Sequence, residues 1–195
     1  MRTYLPYGRQ SINQDDIDAV VAVLQSDWLT QGPMIEQFEQ AIADYCGTKY
    51  AVAVSNATAA LHLACLAIGL GSGDRLWTSP NTFVASANCA RYCLADVDFV
   101  DIDAHTYNLS IPELERKLIQ AAQSNTLPKV ILPVHFAGQS CDMASIAALA
   151  KQYGIHVIED ASHALGGSYH GYKIGACKFS EMAIFSFHPV KMITT

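Results

Sequence analysis

Two spacings of apolar residues take turns along the chain, and each predicts its own element. Ile17, Val20, Val21 and Leu24 recur at helical spacing over residues 14–25. Ser11 or Asn13 can cap that helix, and Asp15 and Asp16 lie in its first turn, where the helix dipole favours acid. Residues 26–33, Ser-Asp-Trp-Leu-Thr-Gln-Gly-Pro, form a loop. A second amphipathic helix then runs to about Cys46, with Ile35, Phe38, Ile42 and Tyr45 on one side. From Tyr50 onward short apolar runs alternate with helical stretches. Strands are predicted over residues 50–54, 75–78, 97–102, 129–134, 155–159 and 182–187, and helices over 57–70 (closed by Gly71), 82–94, 111–123 and 143–153. The Gly- and Ser-rich stretch from Asp160 to Lys178 carries a short hairpin around Gly171. Repeated strand–helix–strand units specify an α/β fold, a mainly parallel sheet with helices on both faces. The domain organisation expected is an N-terminal helical segment, residues 1–48, followed by a larger α/β unit, 49–195. The chain stops in an apolar, Thr-rich run four residues after Lys191, which reads as a piece of a longer protein.

Composition sharpens this picture. The 195 residues are 51% hydrophobic and 15% charged, a core-rich balance suited to a sheet covered on both faces. A net charge of −6 argues against a nucleic-acid surface, so an anionic ligand would depend on backbone amides. There is no leader pattern of basic and apolar regions, and no apolar run long enough to span a membrane. Cys46, Cys65, Cys89, Cys93, Cys141 and Cys177 form no C-x-x-C pair and mostly sit in apolar contexts. They read as buried thiols of a reducing cytoplasm rather than disulfides. Cys89 and Cys93 can share a helix face, but with no second pair or nearby His at ligand spacing they read as core thiols and not as a metal site.

The chemistry gathers at predicted strand ends. Met182 to Phe187 is followed by His188 and Pro189, which turn the chain outward, so Lys191 lies just beyond a strand. A lysine desolvated there can act as a nucleophilic amine towards a carbonyl. Ser55 or Asn56 can cap the helix that follows, leaving the amides of Ala57 and Thr58 at its positive end. Taken alone this is a capped helix, but with the Thr58 hydroxyl it suits a phosphate. Glu159 and Asp160 close another strand and point to opposite faces, so they are not an acid/base pair. One carboxylate there suits a protonated pyridine nitrogen; equally, Asp160 could cap the next turn. Phe83, in the first turn of a helix, is either a core residue or a platform for a flat heteroaromatic ring. Ser186 could add a hydrogen bond to the phosphate. A phosphate cradle, an aromatic platform, a carboxylate and an amine together are what pyridoxal 5′-phosphate requires.

The segments W-L-T-Q-G-P, S-N-A-T-A-A-L-H, S-P-N-T-F-V-A-S-A-N, P-V-H-F-A-G-Q, E-D-A-S-H-A and F-S-F-H-P-V-K-M-I-T-T carry a resemblance through nearly all 195 residues. In combination they resemble the sugar aminotransferases of the DegT/DnrJ/EryC1/StrS family, fold type I pyridoxal-phosphate enzymes. The resemblance implies that 49–195 is the cofactor-binding large domain, with the C-terminal small domain absent from this chain. It implies that Lys191 carries the cofactor as a Schiff base and later shuttles a proton, and that Asp160 pairs with the ring nitrogen. His163 would lie near the ring hydroxyl. Ala57, Thr58 and Ser186 would hold the phosphate and Phe83 would stack on the ring. Tyr7 and the Trp28-Leu29-Thr30 loop would touch the nucleotide-sugar; the alternative for that loop is packing between helices. Related dehydratases carry His at the lysine position; here the lysine is present, which favours transamination. The implied reaction moves an amino group from glutamate to C4 of a UDP-4-keto-6-deoxy-N-acetylhexosamine, as in pseudaminic acid synthesis. The implied enzyme is a cytoplasmic homodimer with active sites shared between subunits, so these residues alone would not be a working enzyme. Competing readings are an aminotransferase for another nucleotide keto-sugar, a non-catalytic regulator or other cofactor-binding protein of this fold, and a remnant without cofactor.

Overall fold

The computed structural model describes residues 10–194. Two helices come first. Asn13 caps α1 (Gln14–Leu24) in a reciprocal arrangement, its side chain accepting from the Asp16 amide while the Asp16 carboxylate accepts from the Asn13 amide. Pro33 opens α2 (Pro33–Cys46), and Gly47 ends it in the left-handed conformation that glycine adopts without cost. No residue of α1 is buried: Ile17, Val20, Val21 and Leu24 are all exposed.

The remainder is α/β. In order come α3 (Ala57–Ala67), β1 (Arg75–Thr78), α4 (Ala85–Tyr92), β2 (Asp96–Phe99), α5 (Ile111–Ser124), β3 (Val130–Leu132), a single 3₁₀ turn (Phe136–Gly138), α6 (Met143–Tyr153) and β4 (His156–Asp160). A hairpin of β5 (Ser168–Tyr169) and β6 (Tyr172–Lys173) precedes β7 (Met182–Ile184). The five-stranded sheet has the order β2-β1-β3-β4-β7, every neighbouring pair parallel. Successive side chains on its strands enter different cores, because strand side chains alternate between faces. Leu76, Val130, Leu132 and Ile158 join Leu61, Cys65, Cys89 and Ala90 under α3 and α4. Trp77, Ile131 and Val157 join Leu114, Leu118 and Ile146 under α5 and α6. That is the double-sided covering the apolar composition predicts. Truncating a fully buried leucine such as Leu114 would cost about 2–5 kcal/mol, so this core is the main force fixing the sheet.

Several predicted elements differ from those observed, each for a local reason. Residues 50–54 form no strand. Among the described residues the segment has no ladder partner; Tyr50, Val52 and Val54 are exposed, and its tie is the Ala53 amide donating to Glu39 at 2.7 Å. The helix predicted to close at Gly71 ends earlier, because Gly69 has φ +74° and the Leu70 amide reaches back to the Cys65 carbonyl. The helix predicted from Thr82 begins at Ala85, so Phe83 precedes it. Pro133, which has no amide to donate, ends β3 before Val134. The strand predicted to Phe187 stops at Ile184: the Ala161 amide donating to the Ile184 carbonyl is the last rung of the parallel ladder, because β4 ends at Asp160 and pairs no further. The hairpin around Gly171 is present, turned by His170 and Gly171, both at positive φ, as a two-residue hairpin turn needs.

Candidate active site

The last two residues of β4 are both buried carboxylates, and the strand sends them to opposite sides. Glu159 faces the α5/α6 side. Its Oε2 lies 2.7 Å from Nε2 of His135, and its Oε1 accepts from the Ser180 hydroxyl at 2.5 Å. His135 is fully buried, and its Nδ1 accepts from the Cys141 amide at 3.1 Å. The ring proton therefore sits on Nε2, which donates to Glu159. The backbone joins in: the His135 amide donates to the Asp160 carbonyl, and the Asp160 amide to the Pro133 carbonyl.

Asp160 faces the α3/α4 side and is 5% exposed. Its Oδ2 accepts from the Ser86 hydroxyl at 2.6 Å and its Oδ1 from the Ser162 amide at 3.1 Å. Among the described residues no lysine or arginine is in ion-pair reach of it. A buried carboxylate with only neutral donors leaves acceptor capacity unused and invites a cationic ligand.

Lys191 closes the constellation. After β7 the chain runs through Phe185, Ser186 and Phe187 into a turn in which the Lys191 amide donates to the His188 carbonyl at 2.8 Å. Phe187 packs edge-on against Phe38 of α2, ring centroids 5.0 Å apart, which ties this turn to the N-terminal helices. Lys191 Nζ lies 2.8 Å from Nε2 of His163. An ammonium only donates, so Nε2 is the acceptor and the ring proton resides on Nδ1. Partial burial holds His163 below the ordinary imidazole value; the Lys191 charge adds to this and the Asp160 carboxylate opposes it. One imidazole thus feels both the amine and the acid. Lys191 itself is half-buried, where the sequence led us to expect an enclosed, desolvated amine.

His163 is also held from below. Gly138, at φ +88°, comes so close to it that a Cβ there would lie 2.8 Å from the His163 carbonyl oxygen. The turn containing Gly138 is fixed in turn by Asn108, which accepts from the Phe136 amide and donates to the carbonyls of Gln139 and Ser140.

The remaining expected residues have less to tie them to this centre. Asn56 caps α3 through the Ala59 amide at 2.9 Å. The amides of Ala57 and Thr58 find no acceptor among the described residues. Ala57 packs against the core cluster that contains Ile158 and Ile184, and α3 as a whole meets β7. Ser186 is half-buried just beyond β7. Phe83 is 72% exposed, which removes the core alternative and leaves its ring free. Trp28 and Leu29 are exposed, as is Thr30, and no hydrogen bond or ring contact brings that loop to Asp160, His163 or Lys191 among the described residues. Exposure also argues against helix packing for the loop. Tyr7 lies outside the described residues. Sequence reasoning missed Ser86 and His135. The hydroxyls of Thr82 and Ser86, four positions apart at a helix start, were a usable signal for the first.

Comparison with known proteins places this geometry in context. The sequence profile of the DegT/DnrJ/EryC1/StrS aminotransferase family matches residues 10–195. The chain is 43% identical over 191 residues to the UDP-4-amino-4,6-dideoxy-N-acetyl-beta-L-altrosamine transaminase of Campylobacter jejuni, covering 98% of this chain and 49% of that protein. Among solved structures it is similar to Helicobacter pylori PseC, an aminotransferase involved in the biosynthesis of pseudoaminic acid, with TM-score 0.89 and 32% identity over 97% of this chain and 49% of that one. It is also similar to the PLP form of Spr1654 from Streptococcus pneumoniae, described as a sugar aminotransferase, with TM-score 0.86 and 29% identity over 97% and 50% of the two chains. The chain spans about half the length of the curated relatives it matches. Among the described residues no helix is long and apolar enough to cross a membrane.

Proposed function

The chain belongs to the DegT/DnrJ/EryC1/StrS aminotransferase family, and from that premise we propose that it supplies the catalytic half of a pyridoxal-phosphate site for amination of a nucleotide-linked keto-sugar. The observation that carries this reading is the 2.8 Å approach of the Lys191 amine to the imidazole of His163, three residues beyond the buried Asp160 carboxylate at the end of β4. The donor set fits the cofactor. Asp160 is a buried anion lacking a lysine or arginine partner, and a protonated pyridine nitrogen would supply the missing charge. The two open amides at the start of α3 suit a phosphate, which a helix N-terminus attracts.

When bound, pyridoxal 5′-phosphate supplies a carbonyl that accepts an amino group and a protonated ring that withdraws electrons from the neighbouring carbon. The chain's own residues do the rest. Lys191 would hold the cofactor covalently through Nζ, and the same atom would take and return a proton. His163 accepts from Nζ and so orients it, and it would hold the cofactor's ring hydroxyl. Asp160 keeps the ring nitrogen protonated. Ala57 and Thr58, with the hydroxyls of Thr58 and Ser186, hold the phosphate, and exposed Phe83 offers a flat apolar face to the ring. Tyr7 and the Trp28–Thr30 loop contact the nucleotide-sugar.

The reaction we infer is the conversion of glutamate to 2-oxoglutarate coupled to amination at C4 of a UDP-4-keto-6-deoxy-N-acetylhexosamine. The likeness to the C. jejuni transaminase and to PseC supports that sugar over other keto-sugars. The working form is a cytoplasmic homodimer; the uncovered apolar stripe of α1 supports a subunit contact. The test is spectroscopic. The purified full-length protein should absorb near the visible edge, and Lys191→Ala should abolish that band together with glutamate-dependent amination of the UDP-keto-sugar. A band that survives Lys191→Ala would refute the assignment. Assay against a panel of nucleotide keto-sugars identifies the acceptor.

A further inference from the structure

The Asp160 carboxylate does not stand alone. Ser86, on the first turn of α4, is fully buried, and its hydroxyl donates to Asp160 Oδ2 at 2.6 Å across 74 positions of sequence. A serine hydroxyl has one hydrogen, so Ser86 can only accept from its other neighbour. That neighbour is Thr82, whose Oγ1 lies 2.7 Å from Ser86 Oγ. The direction is therefore set: Thr82 donates to Ser86, and Ser86 donates to Asp160. The backbone of the same turn adds a link, since the Ser86 amide donates to the Phe83 carbonyl at 3.1 Å.

From this we propose that Ser86, oriented by Thr82, is a positioning residue that holds the Asp160 carboxylate in the plane needed to pair with the cofactor's ring nitrogen. The proposal rests on the cofactor reading above and goes beyond it, since none of the expected cofactor contacts includes Ser86 or Thr82. Three observations favour it over a plain core role. Ser86 Oγ meets two polar partners in an otherwise apolar layer of Ala85, Cys89 and Ala90, where alanine would fill the space without any hydroxyl to satisfy. Its bond is to an ionisable acceptor, the stronger kind. Finally, Ser86 and the Ser162 amide take one carboxylate oxygen each, fixing rotation about the terminal torsion while each oxygen keeps a free acceptor position.

The test compares two probes on the full-length apo-protein: pyridoxal 5′-phosphate and its 1-deaza analogue, in which a C–H replaces the ring nitrogen. Asp160 can pair with the first and not with the second. Dissociation constants from absorbance titration should show that the wild type prefers the natural cofactor, and that Ser86→Ala reduces this preference about tenfold, the loss expected for one charge-assisted hydrogen bond. Thr82→Val, which keeps the side chain's shape and leaves Ser86 in place, should reduce it about two- to threefold; it also preserves the test if Ser86→Ala fails to fold. If Ser86→Ala weakens both probes by the same factor and leaves the preference intact, Ser86 is only a packing residue and the proposal is overturned. If the wild type binds both probes equally, the pairing of Asp160 with the ring nitrogen fails and the proposal with it; if it binds neither, the cofactor reading itself falls.

Discussion

Glu159 and Asp160 are neighbours on one strand, similarly buried, and chemically almost alike, yet their surroundings are opposite. Glu159 is enclosed by a histidine and a serine whose hydrogen bonds it receives on both oxygens, and beyond them lies the α5/α6 core. Asp160 receives a hydroxyl and an amide, meets no lysine or arginine among the described residues, and lies three residues before His163, which Lys191 bonds. Burial of a carboxylate is therefore a poor guide to its role. Each carboxylate receives one hydrogen bond on each oxygen, so what separates the two is the face: Glu159 meets the buried His135, whereas Asp160 lies on the α3/α4 side, three residues before His163 and its Lys191 contact. Glu159 serves as a lock between the segment after β3 and the end of β4; Asp160 is the side chain that the lock holds in place.

That contrast can be broken most sharply at Asp160 itself. In the full-length protein, Asp160→Asn should lower the rate of amino transfer by about 10²–10³-fold, as when a preorganised electrostatic group is removed, with little change in the denaturant midpoint. Equal loss of stability and rate would erase the distinction. Glu159→Ala should do the reverse. It leaves the His135 Nε2–H and the Ser180 hydroxyl unpartnered and opens a cavity, so unfolding free energy should fall by about 2–4 kcal/mol in denaturant melts, with the residual folded protein still binding cofactor. The smallest effect sharpens the Asp160 side. Lys191→Ala removes one of the influences that depress His163, so its titration midpoint should move up towards the usual value of about 6.5, read by NMR of the imidazole. A midpoint that stays put would mean that amine and imidazole do not meet in solution.

Much of this molecule is legible in its residues. The apolar alternation identified the parallel sheet, and the opposite orientations of Glu159 and Asp160 followed from strand geometry alone. The places of Lys191 and Asp160 at strand ends singled them out and the family resemblance added His163; of these, Lys191 and His163 lie 2.8 Å apart. The failures share one cause, dependence on partners distant in sequence. Residues 50–54 have the composition of a strand, but a strand is defined by its neighbour, and none lies beside it among the described residues. Met182 to Phe187 look like one run, but β4 ends at Asp160, so the residues after Ile184 have no strand to pair with among the described residues. Ser86 and His135 gain meaning only through bonds spanning 74 and 24 positions. Substrate residues were harder still, because Trp28 to Thr30 are solvent-facing here and nothing local to them specifies a sugar.

Gly138 has a practical consequence for anyone redesigning this scaffold. Because a methyl group there would press on the main chain of His163, the spot acts as a fixed hinge-stop beneath the neighbour of Lys191. Mutational libraries should leave it untouched and vary the solvent-facing loops instead, where diversity does not disturb the contact between His163 and Lys191.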